Sequence, residues 1–410
     1  MRSNMIKKIL IISQYFYPED FRINDIAVEL SNRGYEVKVL TGIPNYPEGK
    51  FYSGYDYKSK RTENYKGVEI IRIPLIARGK SSVQLAFNYV SFVMSGYYFA
   101  KTTKLKPDVI FTYEVSPMTQ ALIGPCLAKR LKIKSLLYVL DLWPENLEVA
   151  AGIKHPAIIN NVKKMVTSIY KNTDMIMASS RSFVNSIQSD YDIDSDKVKY
   201  WPQYAEEIYY TKEKNKEDYQ WVNRPDLFTI GFTGNIGYAQ GLQILPKVAY
   251  ELKKKADQIL FLIVGDGRAK EDLLREISRL DVEEYFQFID RQLSTKISDI
   301  LSEVDVAFLS FDEHPIYDKT IPAKMQTYMA CGKPLLVSAS GEVEQIVNES
   351  QSGLTCKAGN VSELTNLIRE YLAMSKKRLD EMAVNSKQYA EKYFSKERLM
   401  DQLEEFINER

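Results

Sequence analysis

Residues 320–338 read Thr-Ile-Pro-Ala-Lys-Met-Gln-Thr-Tyr-Met-Ala-Cys-Gly-Lys-Pro-Leu-Leu-Val-Ser, which predicts a helix followed at once by a buried strand. Pro322 suits the first turn of the helix, because its missing N–H has no helical partner there. Gly332 and Pro334 end the helix, and the apolar residues 335–337 form the strand. A helix that leads directly into a buried strand is typical of a parallel α/β sheet.

The same stretch places a lysine at the start of the helix. Lys324 lies near the positive end of the helix dipole, where a cation is disfavoured by roughly a few tenths of a kcal/mol. A bound diphosphate would reverse that sign, because free N–H groups, the dipole and the ammonium would all face one anion. The residues leave two interpretations open, a phosphate site and a solvated lysine.

The alternation of helix and strand extends through both halves of the chain. The strands predicted in the first half are 8–13, 37–41, 68–73, 108–112, 135–140 and 175–178. Those predicted in the second half are 228–232, 259–264, 286–289, 306–309 and 335–338. This pattern implies crossover connections and parallel sheets covered on both faces. We therefore expect an α/β chain of two doubly wound, Rossmann-like domains that face a central cleft.

Domain divisions are predicted after residues 205 and 390. The run Thr211-Lys-Glu-Lys-Asn-Lys-Glu-Asp218 is charged and lacks periodicity, which favours an interdomain linker. The domains would then span residues 1–205 and 206–390. Residues 391–410 carry an apolar stripe on a charged helix, which we expect to cross back to the first domain.

Composition and charge indicate in which cellular compartment the protein acts and which partners it contacts. The chain has 410 residues and three widely separated cysteines without a CxxC pair, which argues against a disulfide framework or a zinc site. Neither a signal peptide nor an apolar run long enough to span a membrane is evident, so we expect a cytosolic protein. Residues 1–205 carry a net charge of +9 and residues 206–410 a net charge of −8. The basic half indicates contact with the anionic inner leaflet of a membrane or, alternatively, attraction between the halves.

Three loops that follow strands of the second half share features of a nucleotide site. They are the glycine-rich turn 231–241, the segment Gly265-Asp-Gly-Arg268, and the helix start at Lys324. Glycines let backbone amides approach phosphate oxygens closely, although such turns also serve packing alone. At a further strand end, the segment Phe288-Ile-Asp-Arg291 could present backbone groups to a base edge, or Arg291 could be a surface residue.

In the first half, polar and aromatic residues follow strands in the same way. These residues are Glu114, Asp141, Trp143 and Glu145, with Asn45 and Tyr46 in a Pro/Gly-rich loop. Carboxylates can accept bonds from sugar hydroxyls while an aromatic face covers the ring, so a sugar pocket is predicted. The alternatives are a turn-capping Asp141 and a core Trp143. The Asn45 loop could be a lid or an acceptor loop, or an ordered surface loop.

In the segment 84–106, residues 85–99 hold ten large apolar side chains, and three lysines follow at positions 101, 104 and 106. A buried domain helix is one interpretation. An interfacial helix with aromatic and lysine anchors is the other.

Several chemistries are excluded by residues that the chain lacks. Its two histidines, His155 and His314, both precede proline, which leaves no evident Ser-His-Asp relay and no His/Cys metal cluster. The loop after the first strand has no glycine, so the dinucleotide fingerprint is absent, and no P-loop occurs.

The chain resembles glycosyltransferase family 4, the retaining sugar-nucleotide enzymes of the GT-B fold, over essentially its whole length. The motifs that carry the resemblance are Asn45-Tyr-Pro-Glu-Gly, Asp141-Leu-Trp-Pro-Glu145, Gly234-Asn-Ile-Gly with Gln240-Gly241, and residues 321–334. Together they look most like a bacterial O-antigen and capsule branch that includes N-acetyl-L-fucosamine transferases. The resemblance implies an acceptor-side first domain and a nucleotide-sugar-binding second domain.

The chain departs from the family at charged positions of the donor site. The family has an arginine and a lysine at the places of Asn235 and Gln240, and two glutamates at the places of Lys319 and Thr327. We infer that Lys319 and Lys324 replace the lost positive charge.

The resemblance implies transfer of an N-acetylhexosamine-type sugar from a UDP-sugar to a polyprenyl-diphosphate-linked glycan, with retention and without a metal. The expected catalytic residues are Asp141, Glu145 and Lys324. The expected donor-binding residues are Gly234, Asn235, Gln240, Gly265, Arg268, Asp290, Arg291, Lys319, Pro322, Lys324, Gln326 and Thr327. The expected acceptor-side residues are Arg22, Asn45, Tyr46, Glu114 and Trp143. The protein is expected at the cytoplasmic face of the membrane as a peripheral protein, with no nucleic-acid partner and no cofactor.

Other functions stay open at this point. A UDP-sugar 2-epimerase of the same shape needs no acceptor and releases no free nucleotide. A non-catalytic sugar-nucleotide-binding subunit is conceivable, because the family's two glutamates are missing. A nicotinamide oxidoreductase is the third alternative, and the absent fingerprint counts against it.

Overall fold

A computed structural model of the chain describes residues 6–79, 81–210 and 220–409. Contacts divide the chain into two compact units. Unit 1 is Met1–Trp201 with Met400–Arg410, and unit 2 is Pro202–Leu399. The charge run 211–218, interpreted above as a linker, lies outside the described residues. The divisions expected after residues 205 and 390 stay predictions.

Unit 1 contains an eight-stranded sheet in the order β3-β4-β2-β1-β5-β6-β7-β8. The strands are β1 Lys8–Ile12, β2 Glu36–Gly42, β3 Thr62–Tyr65, β4 Val68–Ile73, β5 Val109–Glu114, β6 Lys134–Val139, β7 Met175–Ala178 and β8 Val198–Tyr200. The helices are α1 Arg22–Asn32, α2 Ser82–Thr102, α3 Ile123–Leu131, α4 Asn146–Ala151, α5 Pro156–Lys171 and α6 Arg181–Tyr191. Every neighbouring pair of strands is parallel except β3 with β4.

Unit 2 contains a six-stranded, wholly parallel sheet in the order β11-β10-β9-β12-β13-β14. The strands are β9 Phe228–Thr233, β10 Ile259–Val264, β11 Phe286–Ile289, β12 Val306–Ser310, β13 Leu335–Ser338 and β14 Gly353–Cys356. The helices are α7 Leu245–Lys253, α8 Lys270–Arg279, α9 Ser294–Ser302, α10 Ala323–Ala330, α11 Glu342–Ser350, α12 Val361–Ala373 and α13 Lys376–Tyr393. The last helix, α14 Lys396–Asn408, begins in unit 2 and ends in unit 1.

The strand pattern follows from burial. All six residues of β5 and all six of β10 are buried, as expected for strands covered on both faces. Each strand expected from the sequence is present, and the doubly wound α/β organisation of both units is confirmed. In unit 1, β1 lies beside β5, and in unit 2, β9 lies beside β12. At each of these two places the chain stops adding strands on one side of the sheet and begins adding them on the other.

Three strands escaped sequence reasoning because they are short or polar. β3 joins β4 through Lys66 and Gly67, whose φ values of 49° and 88° form the two-residue turn of a hairpin. β8 and β14 each have a single buried residue, Val198 and Cys356, so neither shows a clear buried-strand pattern.

Two lysines of unit 1 bind the final turn of α14. The Lys7 ammonium donates to the Ile407 carbonyl at 2.6 Å, and the Lys134 ammonium donates to the carbonyls of Phe406 and Glu409 at 2.9 and 2.7 Å. Carbonyls in the last turn of a helix lack partners within the helix, and the dipole favours cations there. These contacts explain why the chain's last turns group with unit 1.

Candidate functional site

The loops of the expected donor site begin at one level of the unit 2 sheet. Val264, the last residue of β10, pairs with Thr233 of β9 on one side and Ile289 of β11 on the other. The next amide of each strand then bonds its neighbour: Gly234 N donates to Val264 O, and Gly265 N donates to Ile289 O, both at 2.9 Å. The strand-end loops expected from the sequence therefore lie together.

Glycine is required where the first two loops cross. Gly234 and Gly265 have φ values of 129° and 142°, in a region that side chains strain. A Cβ atom on Gly265 would lie 1.9 Å from the Gly234 carbonyl oxygen, and one on Gly267 would lie 2.3 Å from the Ile236 carbonyl oxygen. The glycines thus allow close packing of the two loops, and they also leave backbone without side-chain cover at the strand ends.

The helix that bears Lys324 begins one residue later than expected. Pro322 precedes α10 as its N-cap, with extended backbone (φ −76°, ψ 144°), and the placement of Pro322 in the first turn was wrong. Its fixed φ fits either position, which is why sequence alone did not separate them. Gly332 has a φ of 64° just after α10 and ends the helix as expected.

Lys324 is the most unusual side chain of this region. Its ammonium lies 4.9 Å from the centre of the Phe232 ring and 3.5 Å from where a Cβ atom on Gly234 would be. Across the described ranges, no carboxylate or acceptor pairs with it. Burial lowers the pKa of Lys324 to about 8. Lys324 is partly buried, and a desolvated cation without a counter-ion is costly, so this position is electrostatically prepared for an anion.

Other residues expected at the donor site differ in how free they are. The Gln240 side-chain oxygen accepts from Gly237 N at 3.0 Å, and the Thr327 hydroxyl donates to Ala323 O at 3.3 Å. Gln326 is buried, and the amide orientation that satisfies it donates to Pro322 O at 2.8 Å. These three side chains bond backbone groups of their own loop or helix and so stabilise the local backbone of the site.

The remaining donor-site candidates lie at or near the surface. Asn235, Arg268 and Arg291 are exposed, and Lys319 is partly buried. Asp290 forms an ion pair with Lys270 at 3.0 Å. Lys270 was not anticipated, because nothing in the local sequence distinguishes it from other helix-surface lysines.

Tyr328 is a second residue that sequence reasoning missed. Its buried hydroxyl accepts from Thr233 N at 2.8 Å and lies 3.2 Å from Thr233 O, to which it donates. These bonds fix α10, and with it Lys324, against the end of β9. A tyrosine in the middle of an apolar helix gives no sign in sequence that its hydroxyl reaches another element.

In unit 1, Asp141 and Glu114 lie beside each other at the ends of β6 and β5. One Asp141 carboxylate oxygen accepts from the backbone N–H and the hydroxyl of Ser116, at 2.9 and 2.7 Å. One Glu114 oxygen accepts from the Leu140 and Asp141 amides, at 3.2 and 3.3 Å. Burial, followed by the charge of Asp141, raises the pKa of Glu114 well above its usual range. Burial and the neighbouring carboxylate therefore favour the neutral form of Glu114.

Three buried polar atoms at or after the ends of β5 and β6 lack a protein partner among the described residues. In the described part of unit 1, one oxygen of Glu114, one oxygen of Glu145 and the Trp143 Nε1 atom are buried without a protein partner. The Trp143 side chain is 9% exposed, so it is largely core, as the alternative interpretation held. Buried polar groups are normally satisfied, so water or a ligand is the expected partner of these atoms.

The loop that begins at Asn45 is held from beneath by a carboxylate. Glu19 is buried, and one oxygen accepts from the backbone N–H groups of Asn45 and Tyr46, both at 2.7 Å. The Asn45 side chain donates to Ile43 O at 2.8 Å and accepts from Arg78 N at 2.8 Å. Asn45 is thus occupied inside unit 1, and its geometry supports a role in shaping the loop.

Tyr46 is exposed in this loop. The Tyr46 ring is 37% exposed and packs against Tyr15 and Phe21, with the Arg78 guanidinium 5.2 Å from its centre. Arg22 is the first residue of α1 and lies partly buried. Over the residues described, no group of three or more His, Cys, Asp or Glu side chains could hold a metal ion.

Comparison with known proteins decides the class. The family model described as glycosyl transferases group 1 matches residues 213–392. The chain is 25% identical to the putative colanic acid biosynthesis glycosyl transferase WcaI of Escherichia coli K12, over 98% of this chain and 99% of that protein. The chain is a glycosyltransferase of the GT-B fold, and it is similar to family 4 enzymes.

Solved structures support the fold of this glycosyltransferase. Sucrose-phosphate synthase from Thermosynechococcus elongatus superposes with a TM-score of 0.74 at 15% identity, covering 98% of each chain. HepE from Anabaena, solved in complex with UDP, superposes with a TM-score of 0.70 at 13% identity, covering 99% of this chain and all of that chain (100%). The GT-B fold expected from the sequence is thereby confirmed.

Proposed function

We propose that this glycosyltransferase moves an N-acetylhexosamine-type sugar from a UDP-sugar to a polyprenyl-diphosphate-linked glycan, with N-acetyl-L-fucosamine as a candidate sugar. The proposal depends above all on Lys324, a partly buried lysine beside the Gly234 loop whose ammonium meets no counter-ion among the described residues. Bound UDP in HepE and the colanic acid assignment of WcaI support this donor and this kind of pathway.

On the donor side, the diphosphate would supply a negative counter-charge for the Lys324 ammonium. Backbone N–H groups at the start of α10 and in the loop after Gly234 would donate to its oxygens. Lys319 and Asn235 would add further contacts at the rim of the site. The ammonium then stabilises the negative charge that develops on the leaving diphosphate, which is where catalysis needs it.

Sugar transfer would proceed with retention, as in the family that the chain resembles. The departing phosphate would accept the proton of the acceptor hydroxyl, so no strong protein base is needed. Because lysine and helix amides neutralise the diphosphate, we expect no metal requirement, and turnover should survive EDTA. Turnover abolished by EDTA and restored by a divalent ion would contradict this part.

On the acceptor side, Asp141 would hold a sugar hydroxyl. Ser116 occupies one of its oxygens, which fixes the carboxylate and leaves the other oxygen for a ligand. Glu145 and Trp143, each with a buried unpaired polar atom, would complete the polar wall, and Tyr46 and Arg22 would contact the more distant part of the acceptor. The acceptor's lipid would bring the enzyme to the cytoplasmic face of the membrane, and the net charge of +9 on residues 1–205 supports that location.

One experiment separates this proposal from its rivals. Purified protein is incubated with a panel of UDP- and GDP-sugars, with and without membrane extract, and free nucleotide and new glycolipid are measured. We expect UDP release that depends on the extract and falls about 100-fold in Asp141→Asn. Conversion of the donor without an acceptor would indicate a 2-epimerase, and donor binding without UDP release for any extract would indicate a non-catalytic subunit.

A further inference from the structure

The outer face of α2 carries a continuous apolar stripe. Its members are Val83, Phe87, Val90, Met94 and Tyr98, which are 65%, 56%, 58%, 64% and 72% exposed. Their spacing of three or four residues puts them on one side of the helix. At 1.5 Å per residue the stripe is about 22 Å long. Exposed apolar residues are normal when single, whereas a contiguous patch of this kind marks an interaction surface.

The stripe is not an incompletely packed part of the core, because the opposite side of α2 is already buried. That side presents Asn88, Phe92, Val93, Gly96 and Ala100 to unit 1. A Cβ atom on Gly96 would lie 2.2 Å from the Ile123 Cδ1 atom, so α2 lies very close to α3. The helix therefore has two apolar faces, and the outer one is free for a partner.

The charge around the stripe indicates the partner. Residues 70–107 contain no Asp or Glu. Lys101 lies on the same side as the stripe, one turn beyond Tyr98, and Lys104 and Lys106 follow it; all three lysines are exposed. An apolar stripe that ends in tyrosine and lysines fits the boundary between the acyl chains and the anionic headgroups of a bilayer. No described helix is long and apolar enough to cross a membrane, so α2 would lie in the interface.

The inner side of α2 connects this surface to the acceptor loop. The Asn88 side chain donates to Ile76 O at 2.7 Å and to the Asn45 side-chain oxygen at 3.3 Å, and it accepts from Gln14 at 2.7 Å. The helix and the Asn45 loop therefore share one buried hydrogen-bond network. A membrane that fixes α2 would also fix this loop relative to the headgroup plane.

We propose that the outer stripe of α2, with Lys101, Lys104 and Lys106, docks the enzyme on an anionic membrane surface. The inference builds on the proposed function, because that surface would carry the lipid-linked acceptor. Apolar side chains enter the headgroup boundary and the lysines contact anionic lipid phosphates.

Vesicle binding tests the docking. The full-length protein is sedimented with phosphatidylcholine vesicles that contain or lack phosphatidylglycerol. We expect strong binding to the anionic vesicles only, weakened about 100-fold by Phe87→Ser with Met94→Ser, and about fivefold by Lys104→Gln. The matched control is Leu274→Ser with Val384→Ser, two exposed apolar residues of unit 2 at 41% and 53% exposure. Binding should not change in that control.

Each other outcome has a defined meaning. Equal vesicle binding by the stripe variant and the wild type, or no preference for anionic vesicles, would overturn the proposal. A dimer that the stripe variant dissociates in the absence of vesicles would assign the stripe to a second copy instead. UDP binding of the wild type is measured in parallel. A wild type that binds vesicles and does not bind UDP would refute the donor proposal alone. A wild type that binds UDP and does not bind vesicles would refute the docking alone. Unchanged melting temperatures of the variants show that both remain folded.

Discussion

Replacing Lys324 by methionine should weaken UDP binding strongly while making the free protein more stable. Opposite unit charges about 4 Å apart attract by about 4 kcal/mol at an effective dielectric constant of about 20. Most of the desolvation cost of the ammonium is already present in the free protein, because burial lowers the pKa of Lys324 to about 8. We therefore expect the Kd for UDP to rise about 100- to 1000-fold.

The stability effect has the opposite sign. A lysine whose pKa is lower in the folded state than in the unfolded state destabilises the protein at any pH at which it is charged in both states. For Lys324 this loss of stability shrinks as the pH rises from about 8 towards 10.5. At pH 7, Lys324→Met removes this cost, so the free energy of unfolding should increase by up to about 3 kcal/mol. In the wild type, UDP affinity should also fall as the pH rises above about 8.

Calorimetric titration with UDP and thermal melting of the free protein measure both effects. Lys247→Met, which removes an exposed lysine of α7, is the control and should change neither. Unchanged UDP affinity in Lys324→Met would refute the role of the ammonium. A lower melting temperature would refute the statement that the ammonium is uncompensated in the free protein.

Three further predictions concern supporting residues. Burial raises the pKa of Glu19 to about 7 from 4.5, so the wild type should lose stability as the pH rises between these values, and melting curves of Glu19→Gln should lack that slope. Tyr328→Phe leaves the Thr233 N–H buried without its acceptor and should destabilise the protein by about 1–3 kcal/mol in denaturant titrations; an unchanged midpoint would mean that water replaces the hydroxyl. Asp141→Asn should lower kcat by about 100-fold and leave the Kd for UDP within about twofold, and a loss of UDP affinity in this variant would argue against an acceptor-side role.

The fold was predictable because its strands are buried on both faces. Runs such as residues 259–264 are wholly apolar, and the segments between such runs have the apolar spacing of helices. Together these two patterns are nearly sufficient to predict a parallel sheet. The short polar strand β3 was not predictable, since its stability comes from pairing with β4 and from the turn at Lys66 and Gly67. Such tertiary effects leave little trace in local sequence.

The candidate site was only partly predictable, because sequence shows residue types and not their partners. The glycine loops and Lys324 could be located from strand ends and helix signals. Sequence could not show that Lys324 meets no counter-ion among the described residues, or that the polar side chain of Asn45 bonds inside unit 1. Long-range contacts such as Glu19 with the Asn45 loop depend on the fold, so Glu19 drew no attention in the sequence.

A crystal structure of the chain soaked with UDP tests most directly whether the strand-end loops of unit 2 and Lys324 bind a diphosphate. We expect diphosphate oxygens within hydrogen-bond distance of the Lys324 ammonium and of backbone N–H groups that follow Gly234. A diphosphate bound elsewhere, or an empty site in which Lys324 pairs with a carboxylate, would contradict the proposed function.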